Sequence, residues 1–222
     1  MPLPLHTPSC FPFDMVRRGL LAGVSRRVLG LSVLSGLLAA GTAAAVTSFE
    51  PGDRLPDLTY SDIEGHVGRL SGLSGLRGLV LITRDTECPV SQRYVLRIAE
   101  LAKTAGARGF NFAVLDVTPH SRTEAQAAAA MLPGIVSLFD PQATLAIRLR
   151  ANSTAEAFLI DRAGMLRYRG AIDDQYGFDS HRAAPRQTWL RDALFALDQG
   201  QEPKVKRTEA RGCALPQYSD SK

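Results

Sequence analysis

Cysteine is scarce in this chain of 222 residues: there are three, at positions 10, 88 and 213. Cys10 falls in a segment read below as removed, so the mature protein keeps Cys88 and Cys213 and can form a single intramolecular pair. Paired metal-ligand spacing such as H-x-x-x-H is absent around His66, His120 and His181, so each reads as a surface residue and no metal site is expected from them. A basic stripe interleaved with aromatics is also missing, which leaves a nucleic-acid role without support. There is no internal repeat and no low-complexity linker. The one long apolar stretch, residues 28–40, is broken by Gly and Ser and falls short of a membrane span. What is present, 45% hydrophobic and 22% charged residues, is the balance of a soluble globular protein. The length suits one domain plus a processed end.

Residues 1–45 read as a signal peptide rather than as part of the fold. Arg17, Arg18, Arg26 and Arg27 precede the apolar stretch, and Ala43-Ala-Ala45 fits the small-residue rule for signal peptidase. An uncleaved anchor is the alternative. Ser25-Arg-Arg-Val-Leu29 has the look of a twin-arginine signal, and Met15 is a second candidate start. Without these residues the chain keeps 22 basic and 21 acidic side chains, so the exported protein is close to neutral. It is expected in the periplasm or an equivalent compartment, where disulfides persist and where no membrane contact remains after cleavage.

The rest divides into a domain, residues 46–200, and a polar tail, 201–222, that carries Cys213. Residues 46–60 are turn-rich and are expected to cover one edge. Residues 78–83 form a continuous apolar run suited to a strand buried on both faces. One helix is expected after Cys88, with Val95, Ile98, Ala99, Ala102 and Ala105 at helical spacing and Gly106 as its cap. A strand follows at 110–117, then a helix at 121–131 opened by a Ser121/Glu124 capping box. Next come a strand at 135–139 and a short helix at 143–149. Two further strands flank the turn Asp161-Arg-Ala-Gly164, and a last helix covers 188–197. The order is β-α-β-α-β-α and then β-β-α: an α/β fold with a central mixed sheet, a βαβ core, a C-terminal hairpin and a closing helix.

Cys88 stands between the central strand and the long helix, with Pro89 at the first helical position, where a missing N–H costs nothing. Unpaired amides and the helix dipole there favour thiolate over thiol. Arg84 adds to this, while Asp85 and Glu87 oppose it. The alternative is an inert buried thiol. Cys213 follows Gly212 in a non-helical tail able to bring the two sulfurs together, as a resolving thiol or as a structural staple worth about 4–5 kcal/mol of loop-closure entropy. Asp173 and Asp174 read as a turn or as partners of Arg169, Tyr94 and Tyr168 as packing residues, and Trp189 as inward-facing.

Cys88-Pro-Val-Ser-Gln-Arg-Tyr94, Thr154-Ala-Glu-Ala-Phe-Leu-Ile-Asp161, Tyr168-Arg-Gly-Ala-Ile-Asp-Asp174 and Gly212-Cys213 together resemble exported thioredoxin-like redoxin proteins, related to the alkyl hydroperoxide reductase/thiol-specific antioxidant superfamily. The resemblance spans residues 50–216. It implies a thioredoxin-like fold and a thiol–disulfide oxidoreductase without a cofactor. Cys88 would be its nucleophile and Cys213 its resolving or disulfide partner. The substrate groove would be formed by Pro89, Thr154 and Ala155. Partners would be protein thiols and disulfides or small oxidants, together with an electron donor. Three positions depart from the pattern. Ser91 replaces the second cysteine of Cys-x-x-Cys, and its hydroxyl is expected either to hydrogen-bond the Cys88 thiolate or to cap the helix. Asp85 stands where peroxiredoxins carry the Thr that orients peroxide. Ala155 takes the place of the cis-proline, which predicts a trans peptide and a less shaped groove. A thiol peroxidase acting through a sulfenate and a Cu(I)-binding or metallochaperone module using both cysteines are the alternatives.

Overall fold

The seven residues of β3 (Gly78–Arg84) are all buried, as a run of β-branched and aliphatic side chains between two helical layers requires. The strand forms the centre of a five-stranded sheet in the computed structural model, which describes residues 48–178 and 181–216. The signal-peptide reading of residues 1–45 lies outside the described residues. On one side β3 pairs in parallel with β4 (Phe110–Asp116), which pairs in parallel with β5 (Val136–Phe139). On the other side it pairs antiparallel with β6 (Glu156–Asp161), which turns through Gly164 at φ +79° into β7 (Leu166–Ala171). The order β5-β4-β3-β6-β7 is the mixed sheet expected, and the fold is thioredoxin-like. Among the described residues, no helix is long and apolar enough to cross a membrane.

Alternation along the strands sorts the core into two layers. Val80, Ile82, Phe112, Val114 and Leu159 meet Val95, Ile98 and Leu101 of α2 (Val95–Gly106) and Leu190 and Leu194 of α5 (Trp189–Asp198). Cys88 belongs to this layer, and Trp189 packs half-buried against it. Leu79, Leu81, Ala113, Leu115, Phe158 and Ile160 face the other way, onto Leu145 and Ala146 of α4 (Thr144–Arg148). The helix α3 (Arg122–Ala129) starts on the full capping box expected: the Ser121 hydroxyl accepts the Glu124 amide while the Glu124 carboxylate accepts the Ser121 amide.

Turn-rich residues 46–60 run at their end into β1 (Thr59–Ser61), which pairs antiparallel with β2 (Val67–Arg69) beyond them. Two expectations are corrected. The helix after Cys88 is two helices, α1 (Pro89–Arg93) and α2, meeting at Tyr94. There the Tyr94 amide reaches back to Ser91 while its hydroxyl is tied to Asp173 Oδ1 at 2.8 Å, so the side-chain anchor coincides with the break. Gly106 does not cap; it is the last residue of α2, and the cap is right-handed Ala107 at φ −61°.

The tail is laid back over the domain. Arg169 of β7 donates its amide to Lys206 and accepts that of Thr208, so this stretch covers part of the edge strand. Thr208 Oγ1 accepts the Ala171 amide at 2.9 Å and lies 2.6 Å from the Tyr168 hydroxyl. Beyond it, Leu215 donates its amide to Asn152 and buries its side chain in the second layer.

Candidate redox-active site

Cys88 ends a tight turn after β3, where its amide donates to the Asp85 carbonyl at 3.2 Å. It is the N-cap of α1, extended at φ −76° and ψ 120°, with Pro89 at the first helical position as the sequence indicates. The turn is held on several sides. The Thr86 amide donates to Thr118 Oγ1 at 2.8 Å, the Glu87 amide to Asp85 Oδ1 at 2.8 Å, and Gln92 Nε2 to the Thr86 carbonyl at 2.7 Å. Such a turn fixes the sulfur at the amide end of α1, but the residue is only 1% exposed.

The cover over Cys88 is the tail. Cys88 and Cys213 are joined by a disulfide across 125 positions with their Cα atoms 6.1 Å apart, inside the range such a bond spans without backbone distortion. Cys213 is partly exposed. Its carbonyl accepts the Thr154 amide at 2.8 Å, and its own amide donates to Thr154 Oγ1 at 2.9 Å. Gly212 makes this approach feasible, because any Cβ there would land on the Thr154 carbonyl.

Thr154 and Ala155 therefore lie buried beneath the tail, and only Pro89 of the three expected groove residues is open to solvent. In the disulfide-bonded state the tail therefore covers two of the three residues expected to line a substrate groove. Ala155 is held in a left-handed conformation at φ +55°, its amide donating to the Thr83 carbonyl at 2.7 Å. The Thr83 hydroxyl donates to the Ser153 carbonyl and accepts the Glu156 amide, so this loop is clamped to β3.

The hydroxyl that meets the Cys88 sulfur is that of Thr154, at 3.1 Å. Ser91, expected to serve the thiolate or cap the helix, instead accepts the Asp85 amide at 3.4 Å and braces the turn. Around the turn, Arg84 is 3% exposed, and burial lowers its pKa while the Asp116 and Asp85 charges hold the guanidinium charged. Asp116 accepts from Thr118 Oγ1 at 2.7 Å and lies 3.5 Å from His120 Nε2. His120 is correspondingly half-buried and stacked on Phe139 rather than fully on the surface as expected.

Three charged groupings escaped the sequence reading. Asp173 does not turn to Arg169; it accepts from Tyr94 at 2.8 Å and pairs with Arg97 at 2.6 Å, and its neighbour Asp174 accepts the Arg186 and Gln187 amides. Burial, followed by the Asp173 charge, pushes the Tyr94 phenol well above its ordinary range. Arg169 is wholly buried and pairs with Glu156 at 2.6 Å, with Arg207 of the tail 3.6 Å from the same carboxylate. Alternating Arg and apolar residues in β7 carry no sign of such a pair, since Arg normally reads as exposed. Asp62, Glu64 and His66 place their ligand atoms within 4.8 Å of one another on the β1–β2 turn, where Asp62 already bonds the His66 ring and amide.

Comparison with known proteins agrees with this architecture. The AhpC/TSA family model matches residues 51–169, which include Cys88 and Thr154 but not Cys213. No curated protein matches the chain significantly. An uncharacterized conserved protein from Geobacillus kaustophilus is similar in structure with a TM-score of 0.68 and 22% identity, covering 78% of this chain and 95% of its own. The hypothetical protein SMc02350 from Sinorhizobium meliloti follows with 0.62 and 22%, covering 78% and 97%. A candidate thiol:disulfide interchange protein, DsbE, from Chlorobium tepidum has a TM-score of 0.50 at 22% identity, covering 56% and 86%. At such identities, the likeness is one of fold.

Proposed function

This chain belongs to the AhpC/TSA family and is an oxidoreductase, and we propose that it is an exported thiol–disulfide oxidoreductase with Cys88 as nucleophile and Cys213 as resolving thiol. The observation that carries this reading is the union of the two cysteines, 125 positions apart, at the N-cap of α1. In the reduced protein, the Cys88 thiolate attacks a disulfide sulfur of the substrate. A mixed disulfide forms and the other substrate sulfur leaves as thiolate. Cys213, deprotonated, then attacks Cys88 Sγ. The Cys88–Cys213 bond forms, and the second substrate sulfur departs, reduced. Two electrons pass from the cysteine pair to the substrate; the same exchange in reverse oxidises a substrate dithiol.

Backbone pairing between Cys213 and Thr154 keeps the resolving residue beside its target, the task a second cysteine at position 91 performs in Cys-x-x-Cys proteins. Export is supported by the arginine-led apolar segment ending in Ala43-Ala-Ala45 and by the need for a compartment in which a disulfide persists. Asp85 at the peroxide-orienting position argues against the peroxidase alternative.

The test uses oxidised glutathione as the disulfide. Reduced wild-type protein is expected to end as the Cys88–Cys213 disulfide, and Cys213→Ser to stop as a Cys88–glutathione adduct. Cys88→Ser is expected to react several-fold more slowly, since only Cys213, away from the amide end of α1, is left to attack the disulfide. A Cys88→Ser protein that reacts as fast as wild type refutes the assignment. Faster oxidation by hydrogen peroxide than by the disulfide, passing through a sulfenate, transfers it to the peroxidase reading.

A further inference from the structure

Thr154 has one hydroxyl proton, and the structure fixes where it points. Its oxygen already accepts the Cys213 amide at 2.9 Å, so its hydrogen is left for the Cys88 sulfur at 3.1 Å. The side chain cannot turn away readily, because its amide is engaged by the Cys213 carbonyl at 2.8 Å and the whole residue is buried. A disulfide sulfur is a weak acceptor, so this donor gains little while the bond is closed. Once the bond opens, the same donor faces an anion, where a hydrogen bond is roughly twice as strong. Accepting from an amide also polarises the hydroxyl and strengthens its donation.

We propose that Thr154 is a positioning residue that makes Cys88, rather than Cys213, the ionised sulfur of the reduced pair. The assignment rests on the oxidoreductase reading and deepens it. No proton is transferred: Thr154 keeps its hydrogen and shares it with the thiolate. The hydroxyl links two events, since the amide that holds its oxygen belongs to the resolving residue. Cys88 is thus best stabilised as a thiolate while Cys213 is docked to attack it. The charged groups on the elements adjoining Cys88 include Arg84 on β3, Asp85 and Glu87 in the turn, Arg93 on α1, Arg97 on α2, Asp116 on β4, buried Glu156 on β6 and Arg211 on the tail. All of them are retained when Thr154 alone is changed.

The test measures the pH dependence of Cys88 alkylation by iodoacetamide in the reduced full chain, read peptide by peptide so that each cysteine is scored separately. Thr154→Val keeps the shape and removes the donor; its Cys88 pKa is expected to rise by about one to two pH units, the value of a hydrogen bond to a charged group. Thr154→Ser restores the donor and is expected to return the pKa to within about 0.3 of wild type on the same scale. Thr154→Ala serves as a second donor-free variant should the valine disturb folding, and is expected to match Thr154→Val. A role confined to packing predicts a lowered melting temperature with an unchanged Cys88 pKa. That result overturns the proposal, as does a serine variant titrating like the valine. Alkylation requires no turnover, so the outcome is independent of whether glutathione exchange supports the oxidoreductase reading.

Discussion

Replacing Gly212 by Ala should make the Cys88–Cys213 bond easier to reduce. A Cβ at position 212 would overlap the Thr154 carbonyl carbon and oxygen and crowd its hydroxyl. Thr154 is fully buried, with the loop around it clamped to β3 by the Thr83 hydroxyl, so the tail must move instead. Movement sacrifices the two hydrogen bonds that seat Cys213 on Thr154, at 2.8 and 2.9 Å. At about 0.5–1.5 kcal/mol each, their loss lowers the effective concentration of Cys213 at Cys88 by an amount worth about 1–3 kcal/mol. Since 30 mV corresponds to about 1.4 kcal/mol for this two-electron couple, the reduction potential should rise by about 20–65 mV. Equilibration in graded dithiothreitol or glutathione buffers, followed by thiol alkylation and mass analysis, gives the potential directly. A Gly212→Ala potential within about 5 mV of wild type refutes the claim that tail docking sets the couple.

Arg169→Met should cost about 3–5 kcal/mol in urea unfolding, because it strands the buried Glu156 carboxylate, with Arg207 at 3.6 Å as a weaker partner. Adding Glu156→Gln should recover part of that loss; a double variant less stable than either single one contradicts the pairing argument. Ser121→Ala removes the capping box of α3 and should lower stability by about 1 kcal/mol, or about 2–4 °C in melting temperature, and no shift at all would mean the cap is idle. Asp140 titrates in the opposite sense to most carboxylates here: burial raises its pKa, against amide donors at the start of α4 that lower it. A carboxyl whose folded pKa exceeds its unfolded value contributes stability at low pH and loses it as pH rises from the ordinary 3.8 through the raised value. Asp140→Asn should therefore gain stability relative to wild type across that window, measured by melting at successive pH values; a constant difference contradicts the direction of the shift.

What the sequence revealed follows the range of the interactions concerned. β3 and the Ser121/Glu124 box depend on residues within a few positions of one another, and both occur as expected. The β1–β2 pair was invisible because each strand has only three residues, largely solvent-facing, too few for a period of two to register. Tyr94 lies in an unbroken helical pattern, and the tether that marks its break reaches Asp173, 79 positions away. Scarcity made the cysteine pair legible, since two sulfurs permit one bond. Its cover was not legible: nothing local says that Gly212 is small because Thr154 lies against it, or that the groove residues are the seat of the tail. Ser91, close to Cys88 in sequence, accepts the Asp85 amide on its hydroxyl, and the hydroxyl at the Cys88 sulfur comes from Thr154, 66 positions beyond that cysteine and beyond the reach of a local pattern.

A structural staple and a redox pair looked like competing readings of Cys213, but they draw on different states of the chain. A bond closing a loop of 125 positions restricts the unfolded ensemble by about 5 kcal/mol in the chain-entropy model, whatever the native site does. Redox behaviour depends instead on how the native state holds Cys213 once the bond is open. Much of that hold does not involve sulfur. Residues 206–208 pair with Arg169, the Thr208 hydroxyl lies between Tyr168 and Ala171, and Leu215 sits in the core with its amide on Asn152, none of them through the sulfurs. Opening the bond therefore frees a short span between two anchors rather than a loose terminus. On the proposed reading, this keeps Cys213 within reach of Cys88 and favours re-formation of the disulfide, so the reduced pair is a strong electron donor. If the proposed exchange operates, the contacts that raise the cost of unfolding the tail are also the ones that favour it.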